Sequence, residues 1–87
     1  MVKGETYYRK LQSTPSVDLN GYTGAWQLSQ NGNAVTNFSG SLSKTGSYYE
    51  VTFQTATLGL GSYRVECFNT HPDGFIECIL DDKISIT

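Results

Sequence analysis

The chain is poor in charged residues, in proline and in cysteine, and it contains no long apolar run. Charged side chains make up 16% of its 87 residues, against roughly 25% in an average domain, and the net charge is −2. Its six basic residues are scattered, which excludes the clustered basic face of a nucleic-acid-binding protein. No apolar stretch approaches the roughly 20 residues of a membrane-spanning helix. We therefore expect neither a nucleic acid nor a membrane as a partner.

The N-terminus lacks the apolar segment of a secretory signal peptide, which predicts a chain that is made in the cytoplasm. Two cysteines are too few for a disulfide framework. In the hairpin register preferred below, Cys67 and Cys78 face each other, so the alternatives are a strained disulfide and two buried thiols. Cytoplasmic synthesis favours two buried thiols that pack as small apolar side chains.

What the chain does contain is a series of short alternating apolar and polar runs, separated by turn residues. No helical periodicity lies between them. About seven to eight strands at this spacing predict one all-β domain over residues 1–87, either an antiparallel β-sandwich or a small barrel. The predicted strands lie at 6–11, 23–30, 34–38, 47–54, 61–67, 75–80 and 83–87, with a further short strand near 42.

The second and third runs form a predicted β-hairpin around Asn-Gly at 31–32. This dipeptide favours a positive φ at both turn positions and a two-residue turn. The turn would place Leu28 opposite Val35. Phe38 is out of phase with Val35, which predicts a β-bulge or a break near Asn37.

A second hairpin is predicted in the last third of the chain, around a Pro-Asp-Gly turn. With Pro and Asp as the two turn residues, Cys67 lies opposite Cys78 and Val65 lies opposite Leu80. A slip of one residue would set Val65 against Asp81. We prefer the first register because it separates apolar from charged side chains better.

Tyr63 is predicted to form a tyrosine corner. It follows Gly61 by two residues at the start of a strand, where its ring can enter the core while its hydroxyl bonds to the backbone. This role is structural and does not indicate a function.

Several segments, in order along the chain, resemble the immunoglobulin-like module of tailed-bacteriophage virion proteins, such as the N-terminal domain of phage baseplate upper proteins and small head or tail accessory proteins. They are KGET at 3–6, VDLNGYT at 17–23, LGLGSYRVE at 58–66, DG at 73–74 and DDKISIT at 81–87. The resemblance implies an immunoglobulin-like antiparallel β-sandwich of about seven to eight short strands. It also implies a virion protein of the tail, baseplate or capsid. Baseplate proteins continue into a longer fibre region, so the end of this chain at Thr87 favours a small accessory component.

Aromatic residues are the one compositional excess, at 13% of the chain. Two pairs of tyrosines are adjacent, and because side chains alternate along a strand, one member of each pair must face outward. Tyr7 or Tyr8, together with Tyr48 and Phe68, is the predicted partner surface, since aromatic residues are enriched at interfaces. The alternatives are isolated exposed rings and a stripe that stacks on carbohydrate.

The residues capable of chemistry form no recognisable catalytic or metal site. His71, the only histidine, lies on the predicted turn and is expected to be solvated. Zinc is disfavoured because His71 and Cys67 are separated by about 13 Å of strand, at ~3.3 Å per residue. We therefore expect no enzymatic activity, no cofactor and no metal. The acidic residues are predicted to be exposed solubilising charges rather than calcium ligands; they are Glu50, Glu66, Glu77, Asp81 and Asp82.

The leading hypothesis is a non-enzymatic bacteriophage structural protein, located in the virion. It would contact other phage structural proteins in many copies or as a homo-oligomer, with the strand at 6–11 as the edge that pairs with another subunit. Two alternatives stay open. One is a small carbohydrate-binding or adhesion module on the virion surface, and the other is a phage-encoded inhibitor of a host protein.

Overall fold

The computed structural model describes residues 1–12 and 19–87, and within them the chain is all-β. The predicted loop at 13–16, together with Val17 and Asp18, lies outside the described residues. The strands are β1 (Thr6–Gln12), β2 (Thr23–Gln30), β3 (Asn33–Ser41), β4 (Ser43–Thr45), β5 (Tyr48–Gln54), β6 (Gly61–Thr70) and β7 (Ile76–Ile86). In the described ranges, no helix has the length and apolar character needed to cross a membrane.

Two antiparallel sheets pack together as a sandwich, which confirms the predicted fold class at that level. The three-stranded sheet has the order β1-β5-β4, and the four-stranded sheet has the order β3-β2-β6-β7. Each sheet therefore has two edge strands. The predicted edge strand at 6–11 is β1, which lies at one edge of the three-stranded sheet. The predicted last strand at 83–87 is the continuation of β7 rather than a separate strand.

The core lies between the two sheets and is rich in stacked aromatic rings. The alternation of β5 is as predicted, because Tyr49, Val51 and Phe53 are all buried. The ring centroid of Phe53 lies 4.8 Å from that of Tyr7 and 5.1 Å from that of Trp26, both in stacked geometry. Such pairs add to the free energy gained from burying the rings. The four-stranded sheet contributes the other side of the core with the buried residues Leu28, Val65, Cys67 and Ile86.

The hairpin between β2 and β3 confirms the predicted turn and the predicted bulge, whereas the paired residues of these two described strands do not include Leu28 with Val35. Asn31 and Gly32 have φ values of 54° and 82°, as an Asn-Gly hairpin turn requires. Asn37 has a φ of 69°, and the register of the two strands shifts between Gln27 and Ser29. The bulge near Asn37 is therefore present.

The hairpin between β6 and β7 forms where predicted, but the predicted register is wrong. Cys67 lies opposite Leu80 and Phe68 lies opposite Cys78, with a register shift between these pairs. Two features cause the difference, and each shifts the register by one residue. One is the irregularity between Cys67 and Phe68, and the other is the loop, where the amide of His71 donates to the carbonyl of Phe75 at 2.8 Å. The loop therefore has three residues, and Gly74 takes a φ of 95°, as the third position of such a loop requires.

The changed register separates the two cysteines. Cys67 is fully buried between the sheets, whereas Cys78 is exposed, and both are free thiols. The prediction of two buried thiols is therefore correct for Cys67 and wrong for Cys78. Burial raises the pKa of Cys67 to about 12, so its thiol stays protonated and unreactive.

Tyr63 forms the predicted corner. Its ring is buried and its hydroxyl donates to the carbonyl of Gly59 at 2.8 Å. This bond holds the connection before β6 against the end of the sandwich.

Residues 1–3 run beside the end of β7. The ammonium group of Met1 donates to the carbonyl of Ser85 at 2.6 Å, and the amide of Thr87 donates to the carbonyl of Met1 at 2.9 Å. The amide of Lys3 donates to the carbonyl of Thr87 at 3.0 Å. In parallel strands, a residue bonds to the two residues on either side of the one that lies opposite it. Met1 bonds in this way to Ser85 and Thr87, so the first three residues lie parallel to β7.

Candidate partner surface

The four aromatic residues of the predicted partner surface do not lie together. Tyr7 is only 1% exposed and belongs to the core, whereas its neighbour Tyr8 is 48% exposed. Tyr8 and Tyr48 alternate with buried residues of β1 and β5, so both lie on the outer face of the three-stranded sheet. Phe68 alternates with buried residues of β6 and lies on the outer face of the four-stranded sheet. The predicted surface is therefore split between opposite faces of the sandwich, and Tyr7 is not part of it.

On the three-stranded sheet, the two outward tyrosines are held by a pair of opposite charges. Lys10 and Glu50 lie directly opposite each other on β1 and β5. The hydroxyl of Tyr8 donates to Glu50 at 2.6 Å, and the Lys10 Nζ atom lies 4.1 Å from the centre of the Tyr48 ring. The hydrogen bond to Glu50 raises the pKa of Tyr8. We call these four residues the outer tyrosine patch.

The outer tyrosine patch borders the free edge of β1. The amide of Thr55 donates to the carbonyl of Glu5, so by the alternation of an antiparallel ladder the backbone groups of Thr6, Tyr8 and Lys10 point away from β5. One of these groups is already occupied, because Arg9 Nη1 donates to the carbonyl of Tyr8 at 2.9 Å. The free edge of β1 is therefore partly covered by its own side chain, a common protection against uncontrolled strand pairing.

Arg9 also joins the two sheets at this side of the sandwich. Its guanidinium lies 4.8 Å from the centre of the Tyr7 ring and 3.4 Å from Asp82 of β7. The hydroxyl of Tyr7 donates to the same carboxylate at 2.8 Å. Burial, together with this bond, raises the pKa of Tyr7. Asp82 is thus bonded and only partly exposed, so its prediction as an exposed solubilising charge is wrong.

The outer face of the four-stranded sheet carries a second polar surface, whose charge pairs differ from those of the predicted register. The predicted register, with Val65 opposite Leu80, would place Arg64 opposite Asp81. In the structure Arg64 lies opposite Lys83, and Glu66 lies opposite Asp81. An ion pair of 3.1 Å still joins Arg64 to Asp81 diagonally. A groove of about 610 Å³ follows this face, lined by Gln27, Ser29, Gln30, Asn31, Arg64, Glu66 and Lys83 among others.

The sequence does contain a signal for this second surface. Arg64 and Glu66 are two residues apart, and so are Asp81 and Lys83, so each pair shares one face of its strand. Only the register decides which charges lie side by side, and the three-residue loop and the irregularity between Cys67 and Phe68 together set that register.

His71 is not the solvated turn histidine that the sequence predicts. Its Nε2 lies 2.8 Å from Glu77 Oε1, and the same oxygen accepts a bond of 3.1 Å from the side chain of Asn69. Asn69 is buried and in turn accepts a 2.6 Å bond from the hydroxyl of Tyr49. The bonds from Asn69 and then from His71 lower the pKa of Glu77. The chain of bonds ties the hairpin loop to the core.

Among residues 1–12 and 19–87, no three histidine, cysteine, aspartate or glutamate side chains lie close enough together to hold a metal ion. Comparison of the chain with protein-family models, with curated proteins and with solved structures finds no match. The two surfaces must therefore be interpreted from their own geometry and chemistry.

Proposed function

We propose that this chain is a non-enzymatic structural protein of a tailed-bacteriophage virion, in the tail, baseplate or capsid. It would act by contact with other phage structural proteins. The ordered segments described for the sequence support this proposal, and so does the sandwich of two antiparallel sheets. The immunoglobulin-like character of the sandwich is part of the same proposal. It is supported by the corner bond between Tyr63 and Gly59, a hallmark of that class.

The outer tyrosine patch is the observation on which the proposal mainly rests. Tyr8 is 48% exposed, and its ring is already fixed by the bond to Glu50. Lys10 likewise holds the ring of Tyr48. Binding costs less when interface side chains are ordered before the partner arrives, and tyrosine is a preferred residue at the centre of interfaces. A sheet face with ordered rings is therefore suited to a protein partner.

The edge of β1 supplies a second means of contact next to the patch. Its outward backbone groups at Thr6 and Lys10 can pair with a strand of another subunit. Such a strand would displace the Arg9 side chain from the carbonyl of Tyr8. Many copies bound to a symmetric particle would add their individually weak affinities.

The direct test is mass spectrometry of purified particles of the phage that encodes the chain. We expect peptides of the chain to be present at a fixed ratio to a major capsid or tail protein. Their absence from intact particles would overturn the proposal.

Variants then test whether the outer tyrosine patch makes the contact. We expect Tyr8→Ala and Tyr48→Ala to lower incorporation into particles at least about tenfold, since central interface tyrosines often contribute more than 1.4 kcal/mol. Leu60→Ala is the matched control, because Leu60 is 68% exposed but lies outside the patch. Equal incorporation of all three variants would show that another surface makes the contact.

Carbohydrate binding is less well supported by this geometry, because the Lys10 ammonium already covers one face of the Tyr48 ring. A glycan array distinguishes the two functions. Glycan binding that is lost in Tyr48→Ala, with no chain in purified particles, would replace the structural role by a carbohydrate-binding one. Capture of a single host protein from lysate, again without incorporation, would favour the inhibitor.

A further inference from the structure

Of the edge strands β1, β3, β4 and β7, β1 has the most regular edge. β4 has only three residues, and β3 contains the bulge near Asn37. The register of β7 shifts against β6, and residues 1–3 lie beside its end. All seven residues of β1, by contrast, pair with β5 without a shift. A recess of about 390 Å³ borders β1 and the end of β7, so a further strand has room to approach.

The outward backbone groups of β1 have the spacing that an antiparallel partner requires. The bond from the Thr55 amide to the Glu5 carbonyl fixes the alternation of the β1–β5 ladder. The backbone groups of Thr6, Tyr8 and Lys10 therefore point away from β5. In an antiparallel pair, such alternate residues each exchange two backbone bonds with one residue of the neighbouring strand. We infer that the neighbouring strand is β1 of a second copy of this chain, with Tyr8 opposite Tyr8 and Thr6 opposite Lys10.

A second copy fits this edge because one register of β1 against itself is better than its neighbours. A twofold axis at Tyr8 pairs the three outward residues with one another, so all their amides and carbonyls are used. An axis at Arg9 would set Arg9 opposite Arg9, and an axis at Lys10 would set Lys10 opposite Lys10. Like charges in such positions destabilise a sheet. An axis at Tyr7 would set Lys10 opposite Gly4, which precedes β1, so both copies of Lys10 would lie beyond the paired strands.

The axis brings together the two copies of Tyr8. Both rings lie on the outer face of the joined sheet, because directly opposed residues of an antiparallel pair share a face. Opposed aromatic side chains stabilise neighbouring strands. The hydroxyl of each Tyr8 already donates to Glu50 of its own copy at 2.6 Å, so both rings are ordered before the copies meet. The ring of Tyr8 is 48% exposed in the single chain, which leaves it free for this contact.

The positive charges of β1 do not oppose this register. Arg9 would lie opposite a neutral residue of the other copy, and Asp82 of its own copy lies 3.4 Å from its guanidinium. Lys10 would lie opposite Thr6, and Glu50 faces Lys10 on β5 of its own copy. Each base of the edge thus has an acid within its own chain, so two copies can approach without an unbalanced cluster of charge.

Arg9 makes the pairing conditional. Its Nη1 atom donates to the carbonyl of Tyr8 at 2.9 Å, and the second copy needs this carbonyl as the acceptor for its own amide. One such bond per copy must be released, so the pair forms only at high local concentration. Many copies held on a symmetric particle provide that concentration. In this respect the inference rests on the proposed function, and it deepens the role of β1 by naming its partner.

Self-association of the purified chain tests the pairing. By sedimentation and light scattering up to about 1 mM protein, we expect the mean mass to rise from 9.6 kDa towards twice that value. Hydrogen exchange followed by NMR locates the contact. The amides of Thr6, Tyr8 and Lys10 are expected to exchange at least about threefold more slowly in concentrated than in dilute protein, because only the pair gives them backbone acceptors. The amides of Tyr7 and Arg9 point towards β5 at every concentration and are the internal control.

Charge changes at Thr6 test the register. Thr6→Glu places an acid opposite Lys10 of the other copy and is expected to tighten the association about fivefold. Thr6→Lys places a base there and is expected to weaken it about fivefold, because each change acts twice across the axis. Gln54→Glu and Gln54→Lys are the matched controls. Gln54 lies directly opposite Thr6 on β5, away from the free edge, so at about 0.1 M salt the effect of these controls is expected to stay within about twofold.

Tyr8→Pro tests the backbone bonds themselves. It removes the outward amide at the axis and leaves the β1–β5 ladder intact, because an edge strand accepts proline where the missing N–H faces solvent. We expect Tyr8→Pro to abolish the association, whereas Tyr8→Ala keeps the amide and only weakens it. The fluorescence of Trp26 reports that each variant is folded, and the Thr6 variants keep the test valid if Tyr8→Pro is not.

Three results would overturn the inference. They are a wild-type chain that stays monomeric up to about 1 mM, outward amides of β1 whose exchange does not depend on concentration, and Thr6 variants that associate no differently from the Gln54 variants. These results are distinct from failure of the proposed function. Absence of the chain from particles would leave its self-pairing in solution intact, whereas a chain that is present in particles but monomeric in solution would overturn the inference alone.

Discussion

Removal of one hydroxyl from the core, by Tyr49→Phe, isolates the bond that ties the hairpin loop to the sandwich. The hydroxyl of Tyr49 donates to Asn69 Oδ1 at 2.6 Å, and the two residues are 1% and 2% exposed. Burial raises the pKa of Tyr49, so the hydroxyl remains a proton donor at all ordinary pH values. Phenylalanine keeps the ring and leaves the Asn69 oxygen buried without its donor.

The size of the effect follows from where the bond lies. A buried acceptor left without a partner costs about 1–3 kcal/mol. Asn69 cannot turn to another donor cheaply, because its amide group already donates to Glu77. In a domain of this size, each kcal/mol lowers the melting temperature by about 4–8 °C. We therefore expect Tyr49→Phe to melt at least about 4 °C below the wild-type protein.

Tyr63→Phe is the matched control. It removes the same group from a bond of 2.8 Å to the carbonyl of Gly59, at a partly buried site that water can reach. The expected cost is about 0.5–1.5 kcal/mol. Urea unfolding followed through Trp26, the only tryptophan, measures both variants.

A double-mutant cycle with Asn69→Leu completes the experiment. The double variant removes donor and acceptor together, so it is expected to be more stable than the sum of the two single losses predicts. Two results would refute the reasoning: a loss in Tyr49→Phe no larger than that in Tyr63→Phe, or single losses that are simply additive.

Three further predictions concern packing, thiol reactivity and pH. Gly24→Ala is expected to lower the free energy of unfolding by about 1–3 kcal/mol through overpacking, because an added Cβ would lie 2.6 Å from the buried ring of Tyr49. Gly59→Ala is the control in the same urea titration, because its added Cβ would lie 3.6 Å from the nearest atom. A thiol reagent is expected to label only Cys78 in the folded protein, and mass spectrometry showing rapid labelling of buried Cys67 would contradict this. Because the pKa of Glu77 is lowered in the folded state, its contribution is present above the ordinary value of about 4.3 and is lost as the pH falls through the lowered value. The stability gap between wild type and Glu77→Gln should therefore narrow as the pH falls below the ordinary value and close once the pH has passed the lowered one. A gap that stays constant throughout this acid titration would contradict the assignment.

Alternation and turn chemistry predict the strands of this chain well, because both are local. The predicted runs at 23–30 and 47–54 correspond to β2 (Thr23–Gln30) and β5 (Tyr48–Gln54). The same is true of the Asn-Gly turn and of the bulge near Asn37. Each of these features depends on a few neighbouring residues and on which of them can take a positive φ.

The partner surface could not be predicted in the same way, because it depends on pairings between distant strands. Alternation requires one of Tyr7 and Tyr8 to face outward, but only the pairing of β1 with β5 decides which. Likewise, nothing local places Tyr48 and Phe68 on opposite sheets. The register predicted for the closing hairpin is wrong because one more loop residue, with Gly74 at positive φ, and the irregularity between Cys67 and Phe68 together shift every charge pair beyond them.

The parallel contact between residues 1–3 and the end of β7 has a mechanical consequence. A pull on Met1 and Thr87 in opposite directions slides two parallel segments past each other, so their three backbone bonds resist the load together. Had the segments been antiparallel, the same pull would have opened the bonds one after another. The sandwich is thus built to withstand tension along its own chain, a useful property wherever such a module is held at both ends.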